Sequence, residues 1–444
     1  MFSGIRKLPP GHLLISEEGG SRIERYSRRG IADFGRLSEQ DWTCILEDQL
    51  ARAVKRQMMS DVPIGALLSG GVDSGAIVAI MSGLTERSVN TFTVGFAAGE
   101  DINELAEARA TAAIFGTSHK EVVLTSLDYQ QLLQKMIWHL DEPIATTSAL
   151  AMYSVCQLAR RHVTVVLTGQ GADEPFAGYP RYLGERYGSL YRRVPGMVRE
   201  NLVRPLIERL PRNERFKRAV RSLGTSSVVE RFAQIYALFP DSQKASLWRS
   251  HAEPEDGSQN VRNVIDYWRR DVEGLDPLIQ MTYVDARLWL SDDLLTYGDK
   301  MSMAASVEAR VPFLDVEYMR AVEALPPSLR IRGLTQKYIH KKVIAKWLPE
   351  EIIRRPKRGF DTPVDRWFRS ELSGFVRSML LGRDAACPLF FRPEAIETLL
   401  EEHVSGRQDN RRQLFSLLVF ELWHRQFISC SAQPVAELTS VHAA

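Results

Sequence analysis

The run Pro63-Ile-Gly-Ala-Leu-Leu68 stops at Ser69-Gly-Gly-Val-Asp-Ser74, and an apolar stretch from Gly75 to Met81 follows at once. A short apolar segment that ends at glycines is a buried strand of the parallel type, and the residues from Asp73 onward continue as a helix. Glycines let the backbone approach a ligand closely. The first N–H groups of a helix carry positive potential, so the turn between strand and helix is a cradle for phosphate. The hydroxyls of Ser69 and Ser74 add donors. Asp73 repels phosphate unless a cation lies between them, so its natural role there is to hold Mg²⁺. The Walker pattern GxxxxGK[ST] is absent, which separates this loop from those of P-loop kinases and GTPases. Taken alone, the hexapeptide also reads as an ordinary Gly-Ser turn with a helix-capping Asp.

The same alternation extends to either side. Leu46, Leu50, Val54 and Met58 recur at helical spacing. Thr91–Phe96, His119–Leu124 and Val163–Leu167 read as strands, and Glu104–Phe115, Gln130–Leu140 and Ser148–Arg161 as helices. Strands alternating with amphipathic helices over residues 38–190 predict an α/β core, a parallel sheet covered on both faces. Residues 191–430 contain basic, helix-like stretches without a clear strand run and are predicted to be mostly helical. Residues 1–37 are too short for a core of their own, and residues 431–444 read as a loose tail.

Composition removes several function classes. Of 444 residues, 44% are hydrophobic and 25% charged, with a formal net charge of +2, so nothing drives the whole chain toward nucleic acid or a membrane. No run approaches the roughly 20 apolar residues of a membrane span. The four cysteines are scattered without CxxC spacing, which fits a reducing, cytoplasmic setting and excludes a disulfide framework.

Two further segments bear on the loop. Leu167-Thr-Gly-Gln-Gly-Ala-Asp-Glu174 again puts glycines and an aspartate at the end of an apolar strand. In a doubly wound sheet, ligands sit at the carboxyl ends of strands near the switch point, which would set Asp73 and Asp173 facing one crevice and one Mg²⁺. In Arg355-Pro-Lys-Arg-Gly-Phe360, a proline and a glycine bracket Lys357 on a rigid loop, suited to charge developing on a phosphoryl or acyl centre. Spacing alone reads that segment equally as a solvated basic turn.

Six segments in this order resemble the synthetase domain of glutamine-dependent asparagine synthetases and their amidotransferase relatives. They are Pro63–Ser74, Phe92–Phe96, Asp141-Glu-Pro143, Val166–Glu174 with Gly178-Tyr179, Asp299–Met303 with Val307–Asp315, and Lys357–Phe360. The resemblance implies the ATP-pyrophosphatase type of sheet and a site for ATP and Mg²⁺. By position, Leu67, Val94, Thr168 and Gly169 would line adenosine. Ser69, Gly70, Gly71, Asp73 and Ser74 would grip pyrophosphate, Asp73 and Asp173 would hold the metal, and Lys357 would stabilise the adenylation transition state. The implied reaction adenylates a carboxylate, aspartate being the expected acceptor, and ammonia converts the acyl-adenylate to an amide. Glu308 and Arg310 match the family's Glu-x-Arg and are expected to form a buried ion pair.

Two departures qualify the resemblance. Asparagine synthetases usually carry a carboxylate where this chain has Gln170, and an amide cannot act as a base. Acceptors other than aspartate therefore stay open, as do β-lactam synthetase and peptide cyclase chemistry; Thr168 for the commoner Ser keeps its hydroxyl. The family's N-terminal glutaminase domain, with its cysteine after the initiator methionine, has no counterpart here beyond residues 1–37, which resemble its last part. Ammonia is then expected free or from a separate glutaminase. A homodimer and an inactive partner subunit are also open. Arginines between 192 and 221 raise RNA modification, which interspersed glutamates and sparse aromatic residues oppose.

Overall fold

The computed structural model describes residues 4–27, 37–97, 103–210, 212–249, 257–355 and 362–429. Its first elements, β1 (His12–Glu17) and β2 (Gly20–Arg25), form an antiparallel hairpin turned at Glu18 and Gly19, the glycine at positive φ. Among the described residues these strands pair only with each other, and Leu13, Leu14, Ile23 and Tyr26 face solvent. One corner ties the hairpin down, where Arg25 pairs with Asp271 and stands 5.0 Å from the Trp268 ring.

Helix α1 (Glu39–Gln57) begins at a reciprocal cap. Ser38 Oγ accepts the Asp41 N–H at 3.2 Å, and the Asp41 carboxylate accepts the Ser38 N–H at 2.9 Å. The helix buries Leu46, Leu50 and Val54, the stripe that the spacing predicts.

Five parallel strands follow: β3 (Ile64–Leu67), β4 (Asn90–Phe96), β5 (Ser118–Leu124), β6 (Val165–Leu167) and β7 (Glu308–Arg310), in the order β5-β4-β3-β6-β7. They alternate with α2 (Val72–Leu84), α3 (Leu105–Ile114), α4 (Ser126–Leu140) and α5 (Ala149–Arg160). Successive strand residues point to opposite faces. Val166 accordingly joins Phe92, Val94 and Phe96 in a core with α4, α5 and the C-terminal helices. Leu167 joins Ala66 and Leu68 in a second core under α1 and α2. The chain leaves β3 toward β4 on one side and returns to β6 on the other, so the switch point lies between β3 and β6.

The predicted α/β class holds, with two corrections beyond residue 190: a short antiparallel pair, Ile331–Arg332 with Thr335–Gln336, and an edge strand of the main sheet. Glu308–Arg310, in a region read as having no strand, is the edge strand β7, paired with Val165–Leu167. Three residues with charged ends carry no apolar run, so the pairing comes from the neighbouring strand: Thr168 N–H donates to Arg310 O at 2.9 Å. The expected Glu308–Arg310 pair forms at 2.6 Å but is not buried, the Glu308 side chain being 54% exposed. At i, i+2 on an edge strand both side chains share one face, where the arginine also caps Gln57 O and Met59 O.

After α6 (Pro180–Arg192) the chain is largely helical. One group of these helices forms a third core around Tyr182, Phe232 and Trp268. Among the described residues, no helix is long and apolar enough to cross a membrane. Residues 431–444 lie outside the described residues.

Candidate active site

The loop after β3 is held by its own hydroxyls. The N-cap of the 13-residue helix α2 is Gly71, which makes no side-chain cap bond. Ser69 Oγ and Ser74 Oγ lie 2.9 Å apart, and the Gly71 N–H donates to Ser69 Oγ at 3.1 Å. The Gly70 N–H donates to Glu104 Oε2 at 3.1 Å, and a Cβ at Gly70 would stand 2.8 Å from Glu107 Cβ. From below, Arg355 Nη1 donates to Gly70 O, Glu107 O and Thr111 Oγ1 at 3.2, 3.0 and 2.9 Å.

The loop after β6 lies directly against this turn. A Cβ at Gly169 would stand 2.5 Å from the Ser74 nitrogen, so only glycine permits the approach. Thr168 is buried, and its Oγ1 has no hydrogen-bond partner among the described residues. Leu67, at the end of β3, and Val94, on β4, pack on the same face of the sheet. The structure thus gathers Ser69, Gly70, Gly71, Ser74, Thr168 and Gly169 at the carboxyl ends of β3 and β6. Lys357 lies outside the described residues. Its described neighbours are anchored: Arg355 at Gly70, and Thr362 through its hydroxyl to Thr147 O at 2.9 Å.

Asp73 and Asp173 meet on a single cation. Lys337 Nζ is 2.7 Å from Asp73 Oδ2 and 2.7 Å from Asp173 Oδ1, with its side chain 4% exposed and the two carboxylates 18% and 19%. Burial works against the ammonium charge. The two carboxylates more than offset it and hold its pKa well above the usual range. His340, fully buried one turn further along the same helix (Tyr338–Ile344), donates from Nε2 to Asp73 Oδ1 at 2.9 Å. Burial lowers the pKa of this histidine against the pull of Asp73. Its ring packs 4.7 Å from Phe176 and 5.3 Å from Phe313.

Two backbone features fix this cluster. Lys337 has φ +54°, a left-handed conformation that is uncommon for a residue with a side chain. A Cβ at Gly178 would stand 2.0 Å from Asp173 Oδ1 and 2.3 Å from Lys337 Cε, so glycine is required there. Next to Asp173, Glu174 is fully buried and accepts the Tyr179 hydroxyl at 2.7 Å. Burial, reinforced by Asp173, pushes its pKa up to about 7. Gln170 lies against the backbone of Gly298, where a Cβ would stand 3.2 Å from its Oε1.

Both carboxylates converge on one cation, and carboxylate oxygens are the donor type that a divalent ion such as Mg²⁺ takes. Sequence reasoning found both aspartates and missed Lys337 and His340. Their i, i+3 spacing puts them on one helical face, but nothing local aims that face at a loop 264 residues away.

A family profile described as asparagine synthase matches residues 46–425. "Asparagine synthetase [glutamine-hydrolyzing] 1" of Bacillus subtilis is 30% identical over 423 residues, 95% of this chain and 65% of that protein. "Putative asparagine synthetase [glutamine-hydrolyzing]" of Mycobacterium tuberculosis is 32% identical over 393 residues, covering 88% and 58%. "Amidase chyE" of Penicillium rubens is 25% identical over 419 residues, covering 82% and 60%. The chain therefore spans less than two thirds of the length of each of these relatives.

Proposed function

The chain belongs to the asparagine synthase family, and from that premise we propose that it is an ATP-dependent, AMP-forming carbon–nitrogen ligase. The observation that carries this reading is the meeting of Asp73 and Asp173 on one cation at the switch point, at the N-terminus of α2. In the proposed reaction, a carboxylate oxygen of the acceptor attacks the α-phosphorus of ATP. The bond to the pyrophosphate oxygen breaks, and an acyl-adenylate forms. Ammonia then adds to the acyl carbon, a proton is lost, and AMP leaves with the bonding electrons.

Such a displacement needs positioning and charge neutralisation more than a nucleophilic side chain. Asp73 and Asp173 would hold Mg²⁺, which supplies Lewis-acid stabilisation of the phosphate oxygens. Ser69, Gly70, Gly71 and Ser74 would receive the pyrophosphate at the helix start. Leu67, Val94, Thr168 and Gly169 would line adenosine, and Lys357 would meet the charge that develops on the leaving group. Aspartate is the first acceptor to test, with ammonia taken free or from a separate glutaminase.

Gln170 favours a second reading that keeps the adenylation and changes the acceptor. An amide beside the reacting centre offers hydrogen bonds but no base, so the attacking amine would have to arrive unprotonated or be internal to a larger substrate.

Both readings are tested by measuring pyrophosphate and AMP release with ATP, Mg²⁺, ammonium and a panel of carboxylates. Stoichiometric release with aspartate supports the first reading, and release only with larger acceptors supports the second. No release with any acceptor sinks both.

A further inference from the structure

Two carboxylates at a helix start are an invitation to free divalent cations, yet here the position between them is taken. Lys337 reaches Asp73 Oδ2 and Asp173 Oδ1 at equal distances of 2.7 Å, and His340 occupies the other oxygen of Asp73 at 2.9 Å. The lysine has little room to leave. Its backbone is left-handed, its side chain is 4% exposed, and a Cβ at Gly178 would meet both Lys337 Cε and Asp173 Oδ1. We propose that Lys337 is a built-in counter-cation that excludes free divalent ions, so that metal enters only together with nucleotide. This inference rests on the ATP reading given above.

The argument is one of charge and space. Asp73, Asp173 and Lys337 sum to −1, whereas the two carboxylates without the ammonium would present −2. A Mg²⁺ or Mn²⁺ ion wants oxygen ligands near 2.1 Å and gives up its waters reluctantly. It cannot share the point midway between two oxygens with an ammonium. Expelling the ammonium alone would strand a buried cation, which is far costlier than breaking an exposed pair. A polyphosphate changes this balance, because its oxygens offer the ammonium a new anionic partner and the metal further ligands at once. Metal and nucleotide are then coupled, each raising the affinity of the other.

The test is Mn²⁺ binding to the full chain, followed by electron paramagnetic resonance, alone and with a nucleotide whose α–β bridge is methylene. For the wild type we expect no Asp73-dependent site filled by free Mn²⁺ at micromolar concentration, and at least about tenfold tighter uptake with the analogue. Lys337→Met is expected to take up free Mn²⁺ at least about tenfold more tightly than the wild type, and adding Asp73→Asn to abolish that gain. The Asp73→Asn comparison also separates this site from the Asp365, His403 and Asp409 cluster, which could hold a metal elsewhere. Wild-type chain that binds one free Mn²⁺ at micromolar concentration, lost in Asp73→Asn, overturns the proposal, and needs no Lys337 variant to fold. Equal uptake by wild type and a folded Lys337→Met overturns it too, while leaving the ATP reading intact if the analogue binds. An analogue that fails to bind the wild type with or without metal overturns both.

Discussion

Two buried charge clusters in this molecule are built alike and placed differently. Between α6 and the helix Val228–Tyr236, Arg231 pairs with Glu185 through Nε at 3.0 Å and Nη2 at 2.6 Å, and its Nη1 donates to Thr225 O and Ser226 O. Both side chains are sealed, at 2% and 0% exposure, and the arginine sits in an ordinary helix. The Asp73–Lys337–Asp173 cluster is comparably buried at its cation, but its carboxylates are partly exposed, at 18% and 19%, and its lysine is held at positive φ. A closed pair with its donors spent inside the protein can only hold parts together. An open cluster, strained at one residue, can exchange partners, and strain of this kind collects at functional sites.

The comparison breaks most visibly if the closed pair is cut. Arg231→Met leaves Glu185 charged, buried and without its main partner, a change that costs about 3–5 kcal/mol. Urea denaturation should register that loss, while pyrophosphate release per folded molecule stays at the wild-type level. The reverse pattern, lost activity with full stability, would show that the two clusters had been assigned the wrong way round. Asp73→Asn should do the opposite. It keeps the size of the side chain and the acceptor for His340, and pyrophosphate release should fall about 100-fold or more, on the scale of removing one preorganised electrostatic group. Lys337 keeps Asp173 as a partner in this variant, so its denaturation midpoint should fall less than that of Arg231→Met.

Glu174 sharpens the contrast through pH. Its folded-state pKa of about 7 lies above the ordinary 4.5, so the native state binds the proton more tightly than the unfolded chain does. Its contribution to stability is therefore full below about pH 4.5 and is lost as pH rises through 7. With about 1.4 kcal/mol per pKa unit, the loss is about 3 kcal/mol. Glu174→Gln should flatten this part of the stability–pH curve, measured by denaturation between pH 5 and 8. An unchanged slope would place the titrating group elsewhere.

These assignments were unevenly legible in the sequence. Strands β3 to β6 and helices α1 to α5 could be read because apolar runs, glycines and helical spacing are local signals, each sufficient without its neighbours. Asp73 and Asp173 followed from the topology, since doubly wound sheets bring the loops after β3 and β6 together. Strand β7 could not be read, because Glu308-Ala-Arg310 becomes a strand only beside Val165–Leu167. The same holds for the cation. Lys337 caps a short basic helix and His340 lies within it, 264 and 267 residues from Asp73, and only the tertiary fold turns them toward it. Gly178 was quoted as part of a motif, but its reason, the close approach of Asp173 and Lys337, is visible only in three dimensions.

His340 gives the smallest and most discriminating expectation. It touches Asp73 rather than the proposed nucleotide, so it acts by fixing the direction of a carboxylate, and such supporting partners are worth about 10- to 100-fold in metal affinity or activity. His340→Leu removes the donor but keeps an apolar side chain against Phe176 and Phe313. It also removes an imidazole whose Nδ1 has no partner among the described residues, so the stability cost should stay within about 1–2 kcal/mol. The effect should fall on the KM for metal-bound ATP, raised about tenfold, with kcat changed less, because Asp73 remains present but poorly aimed. His340→Gln, which can still donate to Asp73, should recover part of that affinity. A His340→Leu chain destabilised as much as Arg231→Met, with its KM unmoved, would make this histidine a packing residue and draw the crevice cluster back toward the closed one.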